Sequence, residues 1–460
     1  MFESWLQRHA GQLESLQLTL SSSHSLDEDD VPGLSYSPWY KEHKLRLPWA
    51  KFAMLQQLHL ECFKVTLPEE EDSNLTNHAA GAGASGSSSG EDTHPPAPLL
   101  LPSLQHLQLS KVHLVDSSSL LRLARAPRLT SLKTSDVTFS CLQYCSVAGE
   151  EYHNTVPAVQ QLAVAIWVML QQLPRLAVLD LPGMPMSAAA MEQLGGMRGL
   201  QEVRLGRVVH MPMCELQHLP STITQLHYSG SKLKRHSNKQ SLLPELQHLT
   251  GLLRLELHCC AVPPAVLSVF TRLDALKLHR CNLLPVPAQA HGPAPGPVIV
   301  ADRHIYETEG TAALLDALSK MTRLQDLSLC LEGLDTVRTA PQRFAALTAS
   351  TQLKRLALSP LRRVPLATGA AQYMFPAARR LPVLEELTIA PLLGNPTSHQ
   401  WCLDGADIHS IATCCSGLRK LNISHNLPPG AEVGIFGFLT VCAYPTIWRA
   451  GQVWCGDEGH

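Results

Sequence analysis

Leucine recurs along this chain in one short figure. Leu13, Leu16 and Leu18 are spaced LxxLxL, and the spacing returns at Leu55/Leu58/Leu60, Leu104/Leu107/Leu109, Leu176/Leu179/Leu181 and Leu252/Leu255/Leu257. It appears again at Leu273/Leu276/Leu278, Leu324/Leu327/Leu329 and Leu353/Leu356/Leu358. Variants at Leu129/Leu132/Thr134, Leu200/Val203/Leu205, Ile223/Leu226/Tyr228, Leu384/Leu387/Ile389 and Leu418/Leu421/Ile423 bring the units to thirteen. The Leu-x-Leu alternation sends two side chains to one face of a strand. Each unit therefore predicts a short strand with its leucines inward and the residues between them outward. One unit cannot bury its apolar face alone, so neighbours must stack. Thirteen such strands at ~4.8 Å form a curved parallel sheet on the order of 60 Å along its arc.

Several units extend to LxxLxLxx(N/C)xL. Leu252 to Val262 carries Cys260 at the ninth position, Leu273 to Leu283 carries Cys281, and the unit from Leu418 ends on Asn426. Upstream of the strands, apolar residues recur every three to four positions, at Met191/Leu194/Met197, Leu243/Leu246/Leu249 and Leu314/Leu318/Met321. That spacing predicts helices on the convex side. The stretch from Pro157 to Leu173 predicts a longer helix with proline in its first turn.

These residues resemble the leucine-rich-repeat family over most of positions 6 to 428. The resemblance implies an α/β solenoid of horseshoe form, with short parallel strands on the concave face and helices or irregular turns on the convex face. The unit running from Ile408 through Cys414 and Cys415 to Ile423 resembles the cysteine-containing repeat subtype, as do Cys260 and Cys281. That subtype implies the F-box proteins that serve as substrate receptors of SCF-type ubiquitin ligases. Residues 1–50 lack the three-helix apolar pattern of an F-box itself.

The solenoid is expected over 1–430, and 431–460 fits no repeat. Most repeat starts lie 21 to 34 residues apart, with larger gaps of 42, 49, 47 and 51. Flexible insertions are expected near 21–48, which holds the acidic run Asp27 to Asp30, near 68–98, which is Gly/Ser-rich, and near 284–305, which is Pro/Ala/Gly-rich. Their style resembles gene products of green algae.

Composition narrows the function. Leucine accounts for 78 of 460 residues, so one motif dominates the core. With 37 Lys+Arg against 39 Asp+Glu the chain lacks the basic excess of a nucleic-acid-binding face. The longest apolar run, Leu162 to Leu170, is too short to span a bilayer, and the first residues carry no secretory pattern. Thirteen cysteines without CxxC pairs point to a reduced, cytoplasmic protein.

Motifs of catalysis are weak. Gly81-Ala-Gly83-Ala-Ser-Gly86 matches GxGxxG, and Gly86 to Gly90 matches GxSxG, but both lie in low-complexity sequence without the strand and helix those motifs need. His210, Cys214 and His218 share a helical spacing that suits zinc, yet a helix starting at Pro212 leaves His210 outside it, and His210 falls where the repeat wants a core residue. The basic run Lys232, Lys234, Arg235, His236 and Lys239 reads as a solvated loop ahead of a nuclear signal. No cofactor, metal site or catalytic set is expected.

The outward strand positions carry the functional expectation. In the most regular block these are Glu202, Arg204, Gln225, His227, Arg254, Glu256, His258, Lys277 and His279. Mixed charge with several histidines suits a protein partner rather than a polyanion, a membrane or a small-molecule substrate. The expected function is a non-enzymatic interaction scaffold, with an SCF substrate receptor as its sharper form. A cytoskeletal or ciliary (axonemal) scaffold is the alternative.

Overall fold

A computed structural model describes residues 2–19, 44–45, 47, 49–65, 101–114, 120, 126–135, 137–139, 156–182, 184–206, 216–230, 246–284, 303–332, 340–359, 370–376, 378–389 and 405–422. The chain divides into two compact units, Met1–Leu200 and Gln201–His460. Each is a stack of parallel strands.

In the first unit the order is α1 (Phe2–His9), β1 (Ser15–Thr19), β2 (Lys44–Leu45), β3 (Gln57–Glu61), β4 (Lys64–Val65), β5 (His106–Ser110), β6 (His113–Leu114), β7 (Ser131–Ser135), β8 (Thr138–Phe139), α2 (Val156–Gln171), β9 (Val178–Leu181) and α3 (Ala188–Gly195). The strands β1, β3, β5, β7 and β9 lie side by side, parallel and in register. The two-residue strands β2, β4, β6 and β8 form a second parallel ladder.

The second unit contains β10 (Glu202–Gly206), β11 (Gln225–Ser229), β12 (Arg254–His258), β13 (Ala261–Val262), α4 (Pro264–Leu267), β14 (Ala275–Leu283), α5 (Arg303–Leu318), β15 (Asp326–Glu332), β16 (Arg355–Leu358), α6 (Ala370–Met374), β17 (Glu386–Ile389), α7 (Gly405–Cys414) and β18 (Lys420–Asn422). Its long strands pair in chain order, all parallel, with β13 added beside the end of β14. All thirteen LxxLxL units thus supply a strand of the long ladders.

Each repeat is numbered from its first leucine. Positions 1, 4 and 6 fill the core: Leu252, Leu255 and Leu257 are at most 1% exposed. Position 6 of two repeats is Thr134 or Tyr228, both buried. Thr134 fits there because its Oγ1 donates to the Asp180 carbonyl at 3.1 Å, so the hydroxyl is not left unpaired in the core.

Backbone bonds fix the stack. The carbonyl at position 2 accepts from two N–H groups of the following repeat, at positions 2 and 3. Glu14 accepts from Gln56 at 2.7 Å and Gln57 at 3.0 Å, and Thr224 accepts from Leu253 at 2.8 Å and Arg254 at 3.0 Å. Position 8 continues the ladder. Cys62, Lys111, Cys259 and Arg280 all occupy it, and all have positive φ, between 50° and 65°. The left-handed turn aims the N–H of Cys259 at the His279 carbonyl at 2.8 Å, and that of Lys111 at the Ser135 carbonyl, also 2.8 Å.

Helices form where sequence supplies them. Ser187 caps α3 by accepting from Ala190 N–H at 3.2 Å, and Ala190, Met191 and Leu194 are its buried stripe. The helix expected from Pro157 to Leu173 is α2, burying Leu162, Ile166 and Met169. Of the helix expected from Leu243 to Leu249, residues 243–245 lie outside the described residues, and the remainder differs from expectation. From Leu246 onward it is two consecutive turns, closed by Leu249 N–H to Leu246 O at 2.9 Å and Leu252 N–H to Leu249 O at 3.1 Å. Apolar residues three apart here mark turn closures rather than a helical face. The same turn precedes most strands, as Leu273 to Phe270 and Leu324 to Met321 show. Gly417 sits in one such turn because a Cβ there would run into the Pro382 carbonyl.

The expected insertions lie largely outside the described residues, as does the segment 431–460. At the edges of the insertions, Lys44–Leu45 is a strand and α5 begins at Arg303.

Two substitutions separate core from turn. Leu276→Ala, at a site 0% exposed, is expected to destabilise the protein by about 3 kcal/mol in urea unfolding. Arg280→Gly is expected to raise stability by roughly 0.5–1 kcal/mol in the same measurement, because it relieves a left-handed conformation at an exposed side chain.

Candidate functional site

Strand register converts the expected site residues into rows. Position 3 of successive repeats aligns Glu202, Gln225, Arg254 and Ala275. Position 5 aligns Arg204, His227, Glu256 and Lys277. Position 7 places His258 beside His279. All nine candidates therefore stand on one strand face of the second unit, on four adjacent strands, β10, β11, β12 and β14.

Glu256 is the centre of this patch. His227 Nδ1 donates to Glu256 Oε1 at 3.2 Å. That hydrogen bond holds the Glu256 carboxyl at about 2, with the charges of His227, Lys277 and His279 acting in the same direction and burial acting against them. The rings of His258 and His279 lie with centroids 6.2 Å apart and planes tilted by 32°. Burial pushes the His279 imidazole below its ordinary value. Glu256 pulls it up, and Lys277 and His227 reinforce the burial. Burial thus favours the neutral form of the His279 ring.

Sequence reasoning stopped at β14 and missed the continuation of the position-3 row. Asp326, Arg355, Glu386 and Lys420 follow one another in register. Arg355 Nη2 donates to Asp326 Oδ2 at 3.0 Å, and Lys420 Nζ lies 4.0 Å from Glu386 Oε2. Taking the outward positions of the units from Leu324 onward would have placed these residues. Their alternation of sign makes this row largely self-paired. Among the described residues, neither Arg254 nor Lys277 takes part in an ion pair.

Position 9 is structural. The Cys260 thiol donates to the His258 carbonyl at 3.1 Å, and the Cys281 thiol to the Leu257 carbonyl at 3.3 Å. Each thiol ties up carbonyls where the strand leaves the ladder. The hydrogen bond with Cys260 and burial push the Cys281 thiol far above its ordinary value, so it remains protonated. Cys414 donates in the same manner to the Arg379 carbonyl.

The other chemical candidates gain no geometry. His210 and Cys214, the basic run 232–239 and the glycine-rich motifs of 81–90 lie outside the described residues, and His218 ends a single 3₁₀ turn. Among the described residues, no group of three or more His, Cys, Asp or Glu side chains could hold a metal ion. No helix among them is long and apolar enough to cross a membrane.

The Glu256 pairing makes a pH prediction. A carboxylate held at about 2 instead of the usual 4.5 adds stability above pH ~4.5 and loses it as pH falls toward 2. In His227→Ala, carboxyl-carbon NMR titration is expected to show Glu256 moving up toward its usual value. The part of the acid-side stability loss that comes from this pair should then vanish.

No protein-family model matches the chain, and no curated protein matches it. Among solved structures, it is similar to an internalin (inlF) of Listeria monocytogenes, at 13% identity over 92% of this chain and 83% of that one, with a TM-score of 0.45. It is similar to the leucine-rich-repeat protein LIC12759 of Leptospira interrogans, at 15% identity over 74% and 78% of the two chains, with a TM-score of 0.36. It is also similar to the leucine-rich-repeat ectodomain of the plant membrane receptor kinase GASSHO1/SCHENGEN3 of Arabidopsis thaliana, solved in complex with CASPARIAN STRIP INTEGRITY FACTOR 2. There the identity is 13% over 84% of this chain and 47% of that one, with a TM-score of 0.29. The fold rests on the chain itself: thirteen LxxLxL units, each a strand, paired in parallel and in register within each unit, form the ladders of a leucine-rich-repeat solenoid fold.

Proposed function

We propose that the chain is a non-enzymatic interaction scaffold whose protein partner docks on the strand face of β10 to β14, presenting acidic groups to Arg254 and Lys277. The observation that supports this most is the division of charge on that face. Glu256 stands opposite Lys277 in register but accepts its close hydrogen bond from His227. Two long cations on neighbouring strands are then available to carboxylates of a partner. The His258–His279 pair beside them adds flat, half-buried surface that suits a protein better than a small ion. Further along the second unit the face is self-paired between Asp326 and Lys420, which leaves the β10–β14 stretch as its more receptive part.

The thiols at position 9 support a narrower reading, a substrate receptor of an SCF-type ubiquitin ligase. Cys260 and Cys281 fill the positions that resemble the cysteine-containing repeat subtype, and both serve as hydrogen-bond donors there.

Both readings meet one experiment. The tagged full chain, and the same chain carrying Arg254→Glu and Lys277→Glu, are used for affinity capture from native cells, with mass spectrometry of the eluates. One or a few stoichiometric partners are expected with the wild type, depleted at least tenfold by the double charge reversal and weakened by raising salt. Unchanged capture by the variant would sink the site assignment. Recovery of the cullin adaptor supports the receptor reading, and its absence removes it.

A further inference from the structure

We infer that the first unit carries a second recognition site, of different chemistry, for an extended peptide segment with uncharged polar side chains. The strand face of β1, β3, β5 and β7 holds a depression of about 310 Å³. Its polar lining is Ser15, Gln57, His106 and Ser131 in the position-3 row, with Gln17, His59, Gln108 and Lys133 in the position-5 row. The volume lies at the lower end of ligand-binding clefts, enough for a short length of chain rather than a domain.

The lining selects the ligand by what it contains. Among the described residues that form it there is no carboxylate, so a cation has nothing to pair with. There is no Phe, Tyr or Trp, so bases and sugar rings have no stacking platform. Its one ammonium is Lys133, on the last of the four strands. What remains is three amides, two hydroxyls and two imidazoles. Each Gln offers donors and an acceptor on one side chain, which is also the complement of a peptide unit. Adjacent strands repeat this set at ~4.8 Å, so a chain lying across them meets a fresh donor and acceptor at every strand.

This site does not rest on the charged face of the second unit, and salt separates the two. Charge-neutral hydrogen bonding changes little with ionic strength, whereas ion pairing weakens. The test pans a displayed library of twelve-residue peptides against the full chain and counter-selects on a full-chain Gln57→Glu/Gln108→Glu variant. Both substituted side chains are exposed, so the fold tolerates the change. The enriched peptides are expected to be rich in Asn, Gln, Ser and Thr. By fluorescence anisotropy they should lose at least tenfold in affinity on the Gln57→Glu/Gln108→Glu chain, keep it on Lys277→Glu, and vary less than twofold between 50 and 500 mM NaCl. Enrichment of acidic or aromatic peptides overturns the inference. So does binding that survives in Gln57→Glu/Gln108→Glu, binding lost in Lys277→Glu, selective retention of neutral glycans in place of peptides on a parallel array, or no enrichment.

Discussion

One backbone carbonyl per repeat, at position 2, accepts from two N–H groups of its successor, and the stack depends on that bond pair. It recurs from Glu14 to Thr130 in the first unit and from Gln201 to Glu385 in the second. The bond pair sets the register at the start of every strand. Leucines at positions 4 and 6 then fall opposite their equivalents, and the apolar face closes without a gap. Any slip by one residue would turn those leucines outward and bring Arg254 or Lys277 into the core.

Three polar side chains in this core are placed where the backbone leaves them a partner. Thr134 bonds to Asp180, Cys260 to His258 and Cys281 to Leu257, each side chain meeting a carbonyl. The left-handed residues at position 8 serve the same end from the backbone side. Their strain is the local cost of extending the ladder by one more N–H at the point where the chain turns away.

The strands were legible because a two-residue alternation repeated thirteen times leaves no competing period. The second ladder, β2/β4/β6/β8, was not. It rests on two residues per repeat, and a single apolar residue at position 11 such as Leu114 does not tell a strand from a turn. The stretch from Leu246 to Leu249 misled for a related reason. Three-residue spacing is shared by a helix face and by two turns in succession, and only hydrogen bonding separates them. The nine candidate residues could be placed by frame alone, yet their chemistry could not. That Glu256 bonds to His227 rather than to Lys277 depends on side-chain geometry across strands. The polar depression on β1 to β7 escaped notice because Gln and Ser at outward positions look like ordinary solvated surface until strand register gathers them.

The closing turn at position 8 has an evolutionary side. By the time the chain passes Cys62, Lys111, Cys259 or Arg280, the strand is bonded to its neighbour. Whatever follows is free to be short or long, and successive repeats here begin anywhere from 21 to 51 residues apart. Spacer length and face composition are thereby uncoupled. A lineage can lengthen or replace the connection between two repeats without moving any side chain on the strand face, and can rewrite that face one position at a time while the connections stay as they are.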